Sequence, residues 1–271
     1  MRPPVREISV VFRDAQLLVL NKPAGIATTA PNDGPSLFAI AKQLDPSAPQ
    51  LHPLSRLDTQ VTGLVAFART SEANKAALQA RRHGVLTRRY VGLATQAPEP
   101  SSGDWNASIG IDPRDPRHRV ALAQGAQGIG VKHALTRYAM SASAGPLVIL
   151  QLWPRTGRTH QLRVHAAHAR APLAGDTAYG GQKRITLPNG RILTAARVML
   201  HCASLSMPHP SEPGDRLVLN LAPEADMLAL WRSAGGAEAA LLETHEPTHE
   251  THARELTLLP LDPLEEPDEE T

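Results

Sequence analysis

The sequence predicts an α+β fold. Its short apolar runs are bounded by turn residues, as strands are, and helix signals interrupt them only irregularly. A parallel βαβ fold would require the two to alternate steadily. Residues 8–12 and 17–20 flank the turn-like Arg13-Asp14-Ala15 and read as strands leading to Lys22-Pro23-Ala24-Gly25. Ser36 then stands as an N-cap before Leu37, Ile40, Ala41 and Leu44, whose spacing is helical. Asp58 occupies a polar break just before the apolar run 63–68, which suits a buried strand with a firmly held loop at its entry. Ser71 opens a second helix containing Ala73, Ala76 and Ala77, with Gly84 placed to end it. A strand over 90–94, a loop over 98–104 and strands over 120–123, 133–140 and 147–153 follow.

From Gly235 the composition changes. Residues 237–271 carry eleven acidic side chains against the single basic Arg254, a balance of −10 that leaves +12 on residues 1–236 from an overall +2. The expected organisation is one domain over 1–236 and an acidic, disordered tail over 237–271, because so charged a segment cannot bury enough apolar surface to order itself. Residues 256–261 are its one apolar stretch, able to dock elsewhere.

No stretch approaches the roughly 20 apolar residues of a membrane span, and the amino end lacks the apolar run of a signal peptide. A soluble, cytoplasmic, monomeric protein without membrane association is expected. Cys202 is the only cysteine, which excludes an intrachain disulfide and a cysteine-rich zinc site and suits a small apolar place in a buried strand. The basic body favours an anionic partner such as RNA, since neutralised phosphates release counterions.

Three segments carry chemistry: Arg56-Leu57-Asp58; Gly157-Arg158-Thr159-His160-Gln161-Leu162-Arg163-Val164-His165; and Gly175-Asp176 followed by Tyr179-Gly180. An isolated Arg-x-Asp usually marks a surface turn or ion pair, but this combination and order resemble the RNA pseudouridine synthases of the ribosomal-large-subunit type. Gly63-Leu64 and Arg88-Arg89-Tyr90 fall at further motif positions, and residues 14–25 resemble the opening segment. The resemblance covers about residues 8–221, and no extra RNA-binding module is expected before Ile8. Ser55 stands where the family usually has His, and Val61-Thr62-Gly63 where it has Thr-Ser-Gly; both departures touch loop support and RNA contacts and leave the carboxylate in place.

The resemblance implies a mixed, mainly antiparallel central sheet flanked by helices and loops, with the active-site cleft across it. It implies isomerisation of uridine to pseudouridine in ribosomal or transfer RNA without a cofactor. Asp58, Tyr90 and Arg163 are the implied catalytic residues, and Arg56, Arg88, Arg89, Arg158 and His160 the implied RNA contacts. The reaction breaks C1′–N1, turns the uracil and joins C5 to C1′. Attack at C1′, attack at C6 and removal of the 2′ proton each use a carboxylate in this place. Arg163 would orient the aspartate and offset its burial, the alternative being a phosphate contact only. Were residues 160–169 helical, His160 and Arg163 would share a face. Arg56 would fill the gap left by the extruded base, and Tyr90 would stack on the uracil and accept the C5 proton, the alternative being core packing.

His160, His165 and His168 raise the question of zinc. On a helix the first two diverge by about 140°, so no metal site is expected there, and the tail histidines offer only adventitious binding. A non-catalytic RNA-binding platform is the rival from another class, yet the chain has only nine Phe, Tyr and Trp residues, too few for both a core and exposed stacking surfaces. No serine-hydrolase elbow, dinucleotide turn or phosphate loop is present.

Overall fold

A computed structural model describes residues 8–30, 34–128, 130–212 and 214–243. The elements run in the order β1 (Val10–Arg13), β2 (Leu17–Lys22), α1 (Leu37–Leu44), β3 (His52–Pro53), β4 (Thr62–Ala68), α2 (Ser71–Arg82), β5 (Thr87–Ala94), β6 (Ser102–Trp105), β7 (Ser108–Ile111), β8 (Arg119–Leu122), β9 (Thr136–Ala144), β10 (Leu147–Pro154), α3 (Gln161–His168), β11 (Arg184–Thr186), β12 (Ile192–Thr194), β13 (Leu200–Pro208), β14 (Arg216–Asn220), α4 (Ala225–Ser233) and α5 (Glu238–Leu242). A single 3-10 turn, Thr177–Tyr179, lies between α3 and β11.

Ten strands form one sheet in the order β1-β2-β4-β13-β5-β10-β9-β6, with β14 added to β13 and β3 to β4. Every pairing is antiparallel except β13 with β4, where His201 lies opposite Thr62 and Cys202 opposite Gly63. The expected mixed, mainly antiparallel sheet is therefore present. At the parallel junction Gly63 has φ +114°, and a Cβ there would meet the Cys202 carbonyl oxygen at 2.4 Å, so this position requires glycine. Beside it the buried Thr62 hydroxyl bonds His201 Nδ1 at 2.8 Å, while His201 Nε2 faces the Leu221 carbonyl at 3.3 Å. Burial first, and then the charge of Arg197, lower the His201 pKa to about 3.

The period-2 alternation of strands sorts side chains into two cores. One contains Phe67, Tyr90, Leu150 and Leu152 with the inner faces of α1, α2 and α3; the other contains Leu93, Ile149 and Met199 with Met227, Trp231 and Leu241 from α4 and α5. All seven residues of β4 are buried, as an uninterrupted apolar run between turns demands. Ser36 caps α1 through the Ala39 N–H, but α2 is capped one residue earlier than expected, by Thr70 through the Ala73 N–H. Gly84, at φ +68°, ends α2.

Two boundaries are corrected. The loop expected over 98–104 contains the start of β6, which pairs with β9. Residues 238–242, assigned from composition to the acidic tail, form α5: Leu241 is buried against α4, and Trp231 Nε1 donates to the Ala237 carbonyl at 2.8 Å. The rest of that tail, including residues 256–261, lies outside the described residues. Among the described residues no helix is long and apolar enough to cross a membrane.

Candidate active site

The Asp58 loop is fixed from below and from both sides. Leu54, Leu57 and Val61 anchor it in the first core, while Arg56 projects outward and Asp58 keeps a quarter of its side-chain surface. Thr28 Oγ1 donates to the Leu57 carbonyl and accepts its N–H, at 3.0 and 2.9 Å. The Thr59 carbonyl accepts from Gly25 N at 2.8 Å and from Lys22 Nζ at 3.2 Å. Lys22 is fully buried, and its other two ammonium protons go to the carbonyls of Pro23 and Ile26. Burial pulls its pKa down to about 8, the nearby charge of Asp58 opposing that and Arg197 adding to it. Three donors matched to three carbonyls are the valence of an ammonium, so a cation supports the loop at neutral pH.

Arg163 joins this loop to the second motif. Its Nη1 donates to Asp58 Oδ2 at 2.9 Å, while Nε and Nη2 clasp the two oxygens of Asp176 at 2.8 Å each. The Asp176 side chain is 2% exposed and that of Arg163 10%. Burial alone would weaken the guanidinium's charge, but the Asp176 hydrogen bonds and the charges of Asp58 and Asp176 outweigh it and raise the Arg163 pKa. The bidentate clasp fixes the plane of the guanidinium, and that plane aims its remaining edge at Asp58. Arg163 also lies 4.8 Å from the centroid of the Tyr179 ring, a cation–π contact.

His160 does not share a helical face with Arg163 as expected. It precedes α3 with φ +57°, in the left-handed region. It nevertheless reaches the same carboxylate, its Nε2 standing 3.9 Å from Asp58 Oδ2. Tyr179 Oη accepts the Arg119 N–H and is hydrogen-bonded to His160 Nδ1 at 2.6 Å, which holds the ring with Nε2 facing Asp58. Burial lowers the His160 pKa against the opposing pull of Asp58, so the ring is neutral at pH 7. His165 turns elsewhere, between Thr136 Oγ1 and the Ala107 carbonyl. Gln161 completes that buried network, receiving protons from Thr156 Oγ1 and Arg158 N and donating to Thr136 Oγ1 and the Leu135 carbonyl. Every polar atom of its amide is satisfied, which holds the start of α3 in place.

Tyr90 lies on the same face of the sheet as the Asp58 loop, nearly buried, and Arg88 Nη1 donates to its hydroxyl at 3.0 Å. Burial raises the phenol pKa, with Arg88 opposing, so the group rests as a neutral phenol. Arg158 Nε donates to the exposed His133 carbonyl at 2.9 Å. The expectation for Arg89 is corrected: strand alternation turns it to the opposite face, where it is 7% exposed and donates to Gln151 Oε1 at 2.8 Å. It is buried on the face of the sheet away from the Asp58 loop. Lys22, Asp176 and Tyr179 are site residues that the sequence reading left without a role, although each lies in a segment it singled out.

A partly open carboxylate held by a doubly anchored arginine thus lies on the helix-covered face of a mixed sheet, the face that also carries a buried phenol: an arrangement suited to nucleophilic or general-base chemistry. The sequence profile of the RNA pseudouridylate synthase family matches residues 16–168. An RNA pseudouridine synthase of Bacillus subtilis, YhcT, is 32% identical over 240 residues, covering 85% of this chain and 74% of that protein. Ribosomal large subunit pseudouridine synthase D of Vibrio cholerae is 31% identical over 252 residues, covering 88% and 74%. Among solved structures, human RNA pseudouridylate synthase domain containing 1 superposes with a TM-score of 0.63 at 26% identity, covering 83% of this chain and 86% of that one. The chain belongs to the RNA pseudouridylate synthase family, and its reaction is the isomerisation of uridine to pseudouridine in RNA.

Proposed function

We propose that Asp58 is the catalytic carboxylate and that it acts on a uridine extruded from structured ribosomal or transfer RNA. One observation carries this reading: Arg163 spends two nitrogens on the buried Asp176 and presents the third to Asp58, which stays partly open to the cleft. The side chain of Asp58 is an oxygen nucleophile and a base. Its task is then nucleophilic attack or proton removal, and the arginine positions it.

The overall balance is simple. C1′–N1 breaks, the uracil turns, C5 bonds to C1′, C5 loses its proton and N1 gains one, with no change of oxidation state. Arg56, exposed two residues before Asp58, takes the place of the extruded base, and Arg88, Arg158 and His160 contact the RNA near it. Tyr90 supplies a ring against the uracil. A phenol with a raised pKa is a poor acceptor, so the C5 proton leaves to Asp58 or water rather than to this hydroxyl. A monomeric, cytoplasmic enzyme is part of this reading, in keeping with a site whose named residues all lie on one chain and with an RNA substrate.

The test is Asp58→Asn, which preserves shape while removing nucleophilicity and basicity. RNA binding and folding should be retained and pseudouridine formation abolished. Turnover within about tenfold of wild type would remove Asp58 from the mechanism.

A further inference from the structure

A second group of cations gathers near the Asp58 loop, to which Arg56 belongs. Arg81, in the last turn of α2, feels the positive charge of Arg88 on β5 and of Arg158 and Arg56 in the flanking loops. Their convergence is sharpest over Gly157, where a Cβ would lie 3.3 Å from Arg81 Nη2 and 3.9 Å from Arg88 Nη2. Two guanidinium groups thus meet above a residue with no side chain. Arg81 is exposed as a whole, but its head lies against this loop, and burial of the head followed by the charges of Arg88, Arg158 and Arg56 pulls its pKa down to about 10.

Other arginines of the protein are neutralised: Arg69 by Asp45, Arg137 by Asp104 and Arg197 by Asp226. Among the described residues no carboxylate pairs with Arg56, Arg81 or Arg88. Clustered like charges repel, and the repulsion is relieved when an anion enters between them. Guanidinium groups match phosphate oxygens in geometry. Arg88 adds a direct link to the chemistry, because its Nη1 holds the Tyr90 hydroxyl while its Nη2 faces Gly157.

Building on the proposed role of Asp58, we propose that Arg81 and Arg88, meeting over Gly157, bind a backbone phosphate of the RNA beside the uridine that enters the cleft. Arg81 is then an RNA-binding residue on α2, outside the motif segments.

The experiment uses the full chain and a fluorescent single-stranded oligouridylate, with affinity measured as a function of KCl concentration. Arg81→Gln should lower the slope of log K against log salt by about 0.7, the value of one lost single-strand phosphate contact, and weaken binding at low salt by roughly 3–10-fold. Arg81→Lys keeps the charge and should keep the slope. Arg232→Gln, on α4 across the sheet, makes the same change in net charge and should leave both quantities unaltered. With ribosomal RNA transcripts, Arg81→Gln should raise KM and leave kcat and Tm unchanged, whereas a merely structural role would lower Tm and leave the salt slope alone. An unchanged slope and KM in Arg81→Gln, or an equal fall in Arg232→Gln, overturns the proposal. Failure of the Asp58 reading would look different: Asp58→Asn would still form product while the Arg81 effect on the slope persisted.

Discussion

Replacing Arg163 by Met should expose two separable debts. Asp176, with 2% of its side chain exposed, takes both of its side-chain hydrogen bonds from Arg163. Removing one partner of a buried pair leaves an uncompensated charge and costs roughly 3–5 kcal/mol. At about 2–4 °C per kcal/mol for a domain of this size, Tm should fall by roughly 6–20 °C. Asp58, at 25% exposure, is reached by water and contributes little to that loss. Arg163→Met/Asp176→Leu, which removes the orphaned carboxylate as well, should therefore regain most of the stability, since apolar replacement of a whole buried pair is often close to neutral. Activity should follow another rule. Both variants leave Asp58 without its orienting guanidinium, so both should lose on the order of 10²-fold or more in turnover. Urea unfolding read by tryptophan fluorescence, beside pseudouridine formation on the same preparations, resolves the two effects. A double variant as unstable as the single one would refute the assignment of the cost to Asp176, and a double variant with restored turnover would make Arg163 purely structural.

Tyr90→Phe should retain turnover within about tenfold on the proposed reading, in which the ring stays and the proton leaves to Asp58 or water; a loss of roughly 10²–10⁴-fold, the usual worth of general acid–base catalysis, would restore the hydroxyl to that role. His201 supplies a pH test. Its folded pKa of about 3 lies below the unfolded 6.5, so the neutral ring contributes stability that is complete above pH 6.5 and lost as pH falls toward 3. Between pH 7 and 4.5 wild type should lose about 2–3 kcal/mol more unfolding free energy than His201→Gln; parallel pH profiles for the two proteins would exclude His201 as the source.

The first half of the chain was the more legible because its signals are local. The apolar run of β4, the Ser36 cap and the glycine ending α2 are each decided by neighbours in sequence. Arg89 was legible too: placing Tyr90 in the cleft sends the preceding residue to the other face, and applying that alternation would have removed it from the RNA contacts. His160 was not, because nothing in Thr159-His160-Gln161 announces a left-handed histidine. Lys22 finds its acceptor at Thr59, and Asp176 its donor at Arg163, only through tertiary structure. The strand β13 mixes small and polar residues, with a buried histidine that only the β4 junction explains, so its pattern resembles neither a buried nor a half-buried strand. The start of α5 was hidden by averaging: eleven acidic residues over 237–271 obscured the one leucine that packs.

The insertion of β13 between β4 and β5 bears on how the enzyme comes into being. Within the sheet, β5 is joined to β4 only through β13, a strand that begins at Leu200. A chain emerging from the ribosome can assemble β1 to β4 as one piece and β5 with β10 and β9 as another, each with an open edge where the missing strand belongs. Asp58 rides on the first piece, whereas Tyr90 and the segment leading to Arg163 extend from the second. On this topology the residues proposed for the active site should come together only when the late strand closes the gap. Until then both edges are open to foreign strands. Fragments ending before Leu200 should behave as aggregation-prone intermediates rather than as weak enzymes.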